Sequence, residues 1–456
     1  MAGIGFELRK LMERGTVIGM IQAYTYAGII SSGPWVLSII GILVIGALSI
    51  GETSADSMVA QFQVSVTYII ACSLIFTGFV QLAFTRFTAD RIFENENDII
   101  LPAFNGLLLI ITLAAGLAGG VFSVMLFPGQ SILYRALLAG GFVIMCNIWV
   151  AAIFLSGMKQ YKSIVTVFAL GYGVSIFLAV YLRKSDLEGI FGGFLSGQLA
   201  LLLGLIILIN LEYPSEKLFD FSFIRKIRLY PSLVFIGFFY NFGVWIDKFI
   251  FWGDSYTSTQ VIGPLRASPI YDIPVFLAYL SIIPGMAVFL VRLETDFVEY
   301  YEKFYEAIRS GRSLDHIEDM RNAMVSTLRQ GVLQIVSVQM VVVAAVVMTG
   351  SSILKYLGIS DLYFPLLCVN VISAAIQVVF LGVLTIFFYL DKRGTALILT
   401  IMFASLNAMF TLATLEFGPK FYGFGFAASL LVVVAVGFWM LDRRLDALEY
   451  ETFMLQ

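Results

Sequence analysis

The sequence predicts an all-α membrane protein with about twelve transmembrane helices, arranged as six plus six. Three observations predict it. Hydrophobic residues make up 59% of the 456 and charged residues only 13%, roughly half the charged share of a soluble domain, and mean hydropathy is +0.92. Twelve apolar runs can cross a bilayer core, which takes roughly 20 helical residues; they cover 20–49, 60–84, 103–127, 132–156, 163–182, 189–211, 229–252, 270–292, 331–350, 363–388, 394–415 and 421–440. Third, 21 of the 28 Lys and Arg fall on the side of the N-terminus and six on the other, with Lys248 inside a span. Basic residues stay in the cytoplasm, so both termini are expected there.

Residues 1–16 read as an amphipathic helix. Phe6, Leu8, Leu11 and Met12 form an interfacial face, and Arg9, Lys10 and Arg14 face phosphates. The first span is expected to be retained, because a signal peptide has a shorter apolar core and a small-residue cleavage site. Its centre, Ser31-Ser32-Gly33-Pro34-Trp35, carries a bend. Pro34 lacks an N–H and its ring crowds the Ile30 carbonyl, which in lipid needs another partner. This is either a structural kink or a broken helix lining a cavity.

The first six spans occupy 17–212, a linker 213–228, the second six 229–440, and a tail 441–456. Leu8-Arg9-Lys10-Leu11 before the first span is echoed 216 residues later by Ile224-Arg225-Lys226-Ile227 before the seventh, as in a parallel repeat. The longest loop, 293–330, reads as a helical hairpin. Phe297, Tyr300, Tyr301, Phe304 and Tyr305 recur at helical spacing, Gly311 breaks the helix, and Ser313 caps the next. This tyrosine-rich face either folds back on its own protein or docks a cytoplasmic partner.

Ionisable groups within spans are costly and point to function. Asp247 and Lys248 lie late in the seventh span, and Asp272 opens the eighth near Arg266. They form a structural ion pair, or a gate or ion-coupling site. Neutral polar residues are more suggestive. Asn147, Gln198, Asn241, Gln377 and Asn407 can donate to and accept from sugar hydroxyls and acetamido groups. Tyr24, Tyr26, Trp35, Tyr68, Tyr172 and Tyr240 can stack on sugar faces. The plainer alternative is that the amides bond helix to helix. His316 is the lone histidine, and Cys72, Cys146 and Cys368 have no metal spacing. No phosphate-binding loop occurs. No catalytic residue, metal, cofactor or nucleic-acid partner is expected.

The opening MAGIGFELRKLM followed by AYTYAGIISSGPWVLSI resembles the PelG family of Pel exopolysaccharide transporters. That family is similar to the polysaccharide branch of the MOP exporter superfamily, with the lipid-linked oligosaccharide flippases and MATE drug exporters. The resemblance implies two six-helix lobes around a central cavity and a growing polymer of N-acetylated amino sugars as substrate, in biofilm exopolysaccharide biosynthesis. It implies as partners the cytoplasmic glycosyltransferase PelF and the membrane proteins PelD and PelE, besides membrane lipids, and as location the cytoplasmic (inner) membrane of a bacterium. A neutral glycan fits the scarcity of intramembrane charge. The alternatives are a MATE-like ion-coupled small-molecule exporter, a lipid-linked oligosaccharide flippase, a membrane glycosyltransferase or polymer ligase, and a scaffold. A ligase usually needs charged groups on outer loops, and those here offer few: Glu52, Asp56, Asp186, Glu188, Asp254, Asp361 and Glu416.

Overall fold

Apolar runs of this length become helices because hydrocarbon offers no partner for backbone N–H and C=O groups outside the segment itself. The structure, a computed structural model, describes residues 17–49, 55–154, 161–227 and 230–454; in the first helix it describes side chains at 22–30 and 37–46. The amphipathic segment expected at 1–16 and the side chains of Gly33, Pro34 and Trp35 lie outside the described residues. Among the described residues, ten helical stretches are long and apolar enough to cross a membrane, and two of them, Lys162–Glu212 and Pro269–Arg309, each contain more than one α-helix.

The first helix, α1 (Val17–Ser49), is helical through Pro34, so the proline sits inside one helix and not between two half-helices. The chain forms two compact units, Gly33–Pro269 and Met1–Ser32 with Ile270–Gln456. Their boundary falls within α1, immediately before Gly33-Pro34. The other boundary, at Pro269, differs from the 213–228 linker drawn on the sequence: the seventh span belongs with the helices that precede it.

The Gly33–Pro269 unit contains α2 (Ala55–Phe93), α3 (Ile100–Leu126), α4 (Ile132–Ala152), α5 (Tyr161–Tyr181), α6 (Asp186–Glu212), the short α7 (Ser222–Ile227) and α8 (Pro231–Gly253). Ser131 starts α4 by accepting the Tyr134 N–H at 3.0 Å, the ordinary N-cap bond. Small residues let two pairs approach backbone to backbone. On α6, Gly189, Gly193 and Gly197 share one face, and a Cβ at Gly193 would lie 2.5 Å from the Ala179 N of α5. On α2, a Cβ at Gly78 would lie 2.7 Å from the Gly237 carbonyl oxygen of α8. That contact explains why α8 packs with the first set of helices. After α8 comes an antiparallel hairpin absent from the sequence reading, β1 (Thr259–Ile262) and β2 (Leu265–Ala267), with Thr259 opposite Ala267. Gly263 supplies its turn with φ +52°, where a side chain would be strained.

The second unit contains α9 (Pro269–Leu280), α10 (Ile283–Val291), a π-helical turn (Arg292–Asp296), α11 (Phe297–Arg309), α12 (Leu314–Tyr356), α13 (Phe364–Tyr389), α14 (Arg393–Phe417), α15 (Phe424–Asp446) and α16 (Leu448–Met454). The expected eighth span is two helices. Pro284 cannot donate to the Leu280 carbonyl, and the chain turns at Ser281–Ile282, where Ser281 Oγ donates to the Ala278 carbonyl at 2.6 Å. Gly311, φ +63°, turns the chain between α11 and α12. The expected second hairpin helix and the ninth span merge into the 43 residues of α12, since no proline interrupts them. Ala278, Leu354, Leu367 and Val371 form a core cluster where α9, α12 and α13 meet.

Candidate functional site

The chemistry in the Gly33–Pro269 unit concentrates at the end of α8. Pro231 starts this helix at a position where the missing N–H costs nothing. Asp247 and Lys248, five residues before its end, are 0% and 1% exposed. Consecutive helical residues point about 100° apart and do not normally face each other. Here the lysine curls back: its Nζ donates to the Val244 carbonyl at 2.8 Å and lies 3.1 Å from Asp247 Oδ2. The Nζ also sits 5.9 Å from the centre of the Trp245 ring. The pair is a charge-neutral unit in a dry place.

Next to this pair lies a polar and aromatic support. Tyr68 of α2 stacks on Trp252 at 4.3 Å, and its hydroxyl donates to the Arg266 carbonyl at 3.0 Å. Arg266 was expected in a gate or ion-coupling site. Its guanidinium instead donates to Ser258 Oγ and the Ser258 carbonyl, both at 2.8 Å. It closes the β-hairpin, because those two oxygens lie within reach across the turn. Asp272, half of the same expectation, is buried on α9 in the other unit.

The expected substrate-pathway amides divide between the units. In the first, Asn147 Nδ2 donates to Thr112 Oγ1 at 2.9 Å and the Val143 carbonyl at 3.0 Å. Gln198 Nε2 donates to Ser175 Oγ at 3.2 Å, and Asn241 Nδ2 to the Gly237 carbonyl at 3.0 Å. Asn147 and Gln198 thus tie α3 to α4 and α5 to α6, yet their amide oxygens are buried without a hydrogen-bond partner. Tyr240 is half-buried beside Asn241, and Tyr172 shares a 2.8 Å hydrogen bond with Ser38. In the second unit, Asn407 Oδ1 accepts from Thr411 Oγ1 at 3.0 Å, and the Gln377 amide oxygen is buried without a partner. Tyr24 and Tyr26 are half-buried on α1.

Of the two readings of the hairpin residues, the contacts seen are those of a face packed on its own chain. Phe297 and Phe304 are fully buried. Tyr301 donates to the Tyr389 carbonyl at 2.8 Å, and Phe297, Tyr301 and Tyr389 pack ring to ring at 5.7–6.2 Å. Tyr305 lies 4.7 Å from the Tyr301 ring, and Tyr300 is half-buried under Lys303. Tyr389 of α13 covers Phe297 and Tyr301 on this face.

Two buried amides escaped the sequence reading. Gln339 of α12 donates through Nε2 to the Ile282 carbonyl at 3.3 Å, at the break between α9 and α10, and Gly285 leaves it room. Asn370 lies seven residues before Gln377 on α13, two turns away on the same face, with its Nδ2 buried and unpaired. An amide in an apolar run was the available signal for both.

The family model described as "PelG: Putative exopolysaccharide Exporter (EPS-E)" matches residues 1–453. No curated protein matches the chain. Among solved structures, it is similar to the outward-facing conformation of a multidrug resistance MATE family transporter of the MOP superfamily, with TM-score 0.64 and 15% identity over 94% of this chain and 96% of that one. A MOP superfamily transporter from Pyrococcus furiosus, whose binding pocket has reverse polarity, aligns with TM-score 0.63 and 15% identity over 93% and 96% of the two chains. The inward-facing conformation of a MATE family transporter gives 0.59 and 15% over 91% and 95%.

Proposed function

We propose, for a chain that belongs to the PelG exopolysaccharide exporter family and has the MOP transporter fold, that it moves a growing, neutral amino-sugar polymer of the Pel type across the bacterial cytoplasmic membrane. The observation that carries this reading is the family match over residues 1–453. The chemistry of the buried polar groups is compatible with it. The buried polar groups include several neutral amides, four of them with an oxygen left unpaired: Asn147, Gln198, Gln339 and Gln377. The buried charges Asp247 and Lys248 neutralise each other. A neutral polyhydroxylated chain needs hydrogen-bonding partners more than counter-charges.

Transport proceeds by alternating access or through a gated channel, with Asp247–Lys248 as the coupling or gating element. A cytoplasmic glycosyltransferase, PelF, feeds the chain in, with PelD and PelE as membrane partners. Holding the synthase at the opening keeps the nascent end at an effective concentration on the order of millimolar. The deciding experiment is reconstitution of the protein in liposomes with the glycosyltransferase and its sugar nucleotide outside. Proton and sodium gradients are varied independently. Polymer inside the vesicles, dependent on this protein, is the expected result. Synthesis without entry, together with gradient-driven efflux of small cationic dyes, would replace the reading with that of a small-molecule exporter.

A further inference from the structure

Residues 213–227, between α6 and α8, have a backbone that is tied down and apolar side chains that face outward. The Asp220 N–H donates to the Pro102 carbonyl at 3.0 Å, and Asn105 Nδ2 donates to the Leu218 carbonyl at 3.0 Å. Gly106 makes the approach possible, since a Cβ there would lie 2.5 Å from the Asp220 carbonyl oxygen. Phe223, 2% exposed, inserts edge-on against Phe84 at 5.5 Å. The Asp220 carboxylate accepts the Ser222 N–H at 3.1 Å and so starts α7. Yet Leu218 is 73% exposed and Phe219 52%, and Phe221 and Ile224 are exposed as well. A segment this well held could have turned its apolar groups inward, as it does Phe223.

Two observations select the bilayer as what covers them. The first is continuity. Asn105, which holds Leu218, is one turn before Leu109, and Leu113 and Leu117 follow at the same spacing, all three exposed on the outward side of α3. An outward apolar stripe on a membrane-spanning helix is a lipid contact. The loop therefore prolongs the lipid-facing stripe of α3 by a further turn. The second is charge. Lys217 and Arg225 are exposed among the apolar groups, and such side chains lay their stems on apolar surface while the cation reaches phosphate. Apolar side chains flanked by exposed Lys and Arg are the composition of an interfacial segment.

We infer that residues 215–225 are a membrane-interface anchor: Leu218, Phe219, Phe221 and Ile224 enter the boundary between headgroups and acyl chains, and Lys217 and Arg225 bind phospholipid phosphates. The anchor holds the chain between α6 and α8 at bilayer level. The test uses the full-length protein in nanodiscs of phosphatidylethanolamine and phosphatidylglycerol, with no other protein present. In a background with Cys72, Cys146 and Cys368 replaced by Ser, a nitroxide is placed at Phe219, at Leu113 as the lipid reference, and at Gln130 as a loop reference. Collision with oxygen should exceed collision with a water-soluble nickel complex at Phe219, as at Leu113. Nickel access like that at Gln130, or protection from both, would overturn the anchor. Lys217→Gln with Arg225→Gln should move the Phe219 label toward water; an unchanged depth would overturn the phosphate assignment. If the cysteine replacements fail to fold, the unmodified protein is labelled with a lipid-soluble carbene reagent and, separately, with hydroxyl radicals. The peptide containing Leu218 and Phe219 should react severalfold more with the carbene, and the reverse preference would refute the proposal.

Discussion

Asp247 and Arg86 are both acidic–basic partners on a helix, and their surroundings give them opposite weights. Asp247→Asn leaves the Lys248 ammonium in a dry site with the Val244 carbonyl as a remaining contact. Breaking a buried pair costs about 3–5 kcal/mol. Arg86 pairs with Asp90 at 3.0 Å across one helical turn and is 43% exposed, where such a pair contributes about 0.3–0.5 kcal/mol. Asp247→Asn should therefore lower the detergent melting temperature and the transport rate well below those of Arg86→Gln. Removing both charges, with Asp247→Asn and Lys248→Met, should recover part of the stability, because no unpaired charge remains. Equal melting temperatures for the two single variants would refute a dry site. Phe304 carries a second prediction at this scale. Because it is fully buried against its own chain, Phe304→Ala should cost about 3–5 kcal/mol, visible as a lower melting temperature in the isolated protein. A variant that melts normally and fails only in recovering a partner would restore the docking role.

Among the elements, the α5–α6 hairpin makes the sharpest case. Its glycines at 189, 193 and 197 remove side chains along one line, and the two backbones meet there. Gly193→Ala puts a Cβ 2.5 Å from a backbone nitrogen, which the neighbour cannot avoid by changing rotamer. Overpacking of that kind costs about 1–3 kcal/mol. The adjacent Gly192 meets only a leucine methyl at 3.8 Å, so Gly192→Ala should be tolerated and serves as the control. Comparable losses of folded yield and melting temperature in both variants would mean that helix propensity, not the close approach, sets the result. The α9–α10 break follows another logic. Prolines ended the helix, but a glutamine three helices' worth of sequence away, Gln339, bonds the freed turn.

For the whole molecule, the boundary between the compact units coincides with the Gly33-Pro34 pair in α1. A proline weakens the backbone hydrogen-bond ladder where it sits. Gly33→Ala with Pro34→Ala should leave membrane insertion intact and reduce polymer export. Normal secretion by the double variant would remove the pair from the mechanism. The 21-to-6 distribution of basic residues further predicts that both termini are cytoplasmic. Alkaline phosphatase fusions at either end should be inactive, and activity at both would invert the topology.

Span positions were legible in the sequence because the solvent for these helices is hydrocarbon, and a continuous apolar run has few other structures open to it. Gly311 marked a real interruption; of the prolines at 269, 274 and 284 expected to break the eighth span, Pro284 coincides with a break, while Pro269 starts α9 and Pro274 lies inside it. Buried Asp247 and Lys248 could be singled out as costly from their place in an apolar run. That they could pair was legible too; that Lys248 curls back along its own helix to do so, with its Nζ on the Val244 carbonyl, was not. Tyr301 and Phe297 are legible by type alone, because their partner Tyr389 lies on a distant helix whose approach no local pattern encodes. The grouping of α8 with the helices before it rests on Gly78 meeting Gly237, 159 residues apart in the chain. Hydropathy and charge are properties of short windows and determine which segments enter the membrane and in which direction. Which faces then meet depends on shape complementarity between distant residues, and only the tertiary structure decides that.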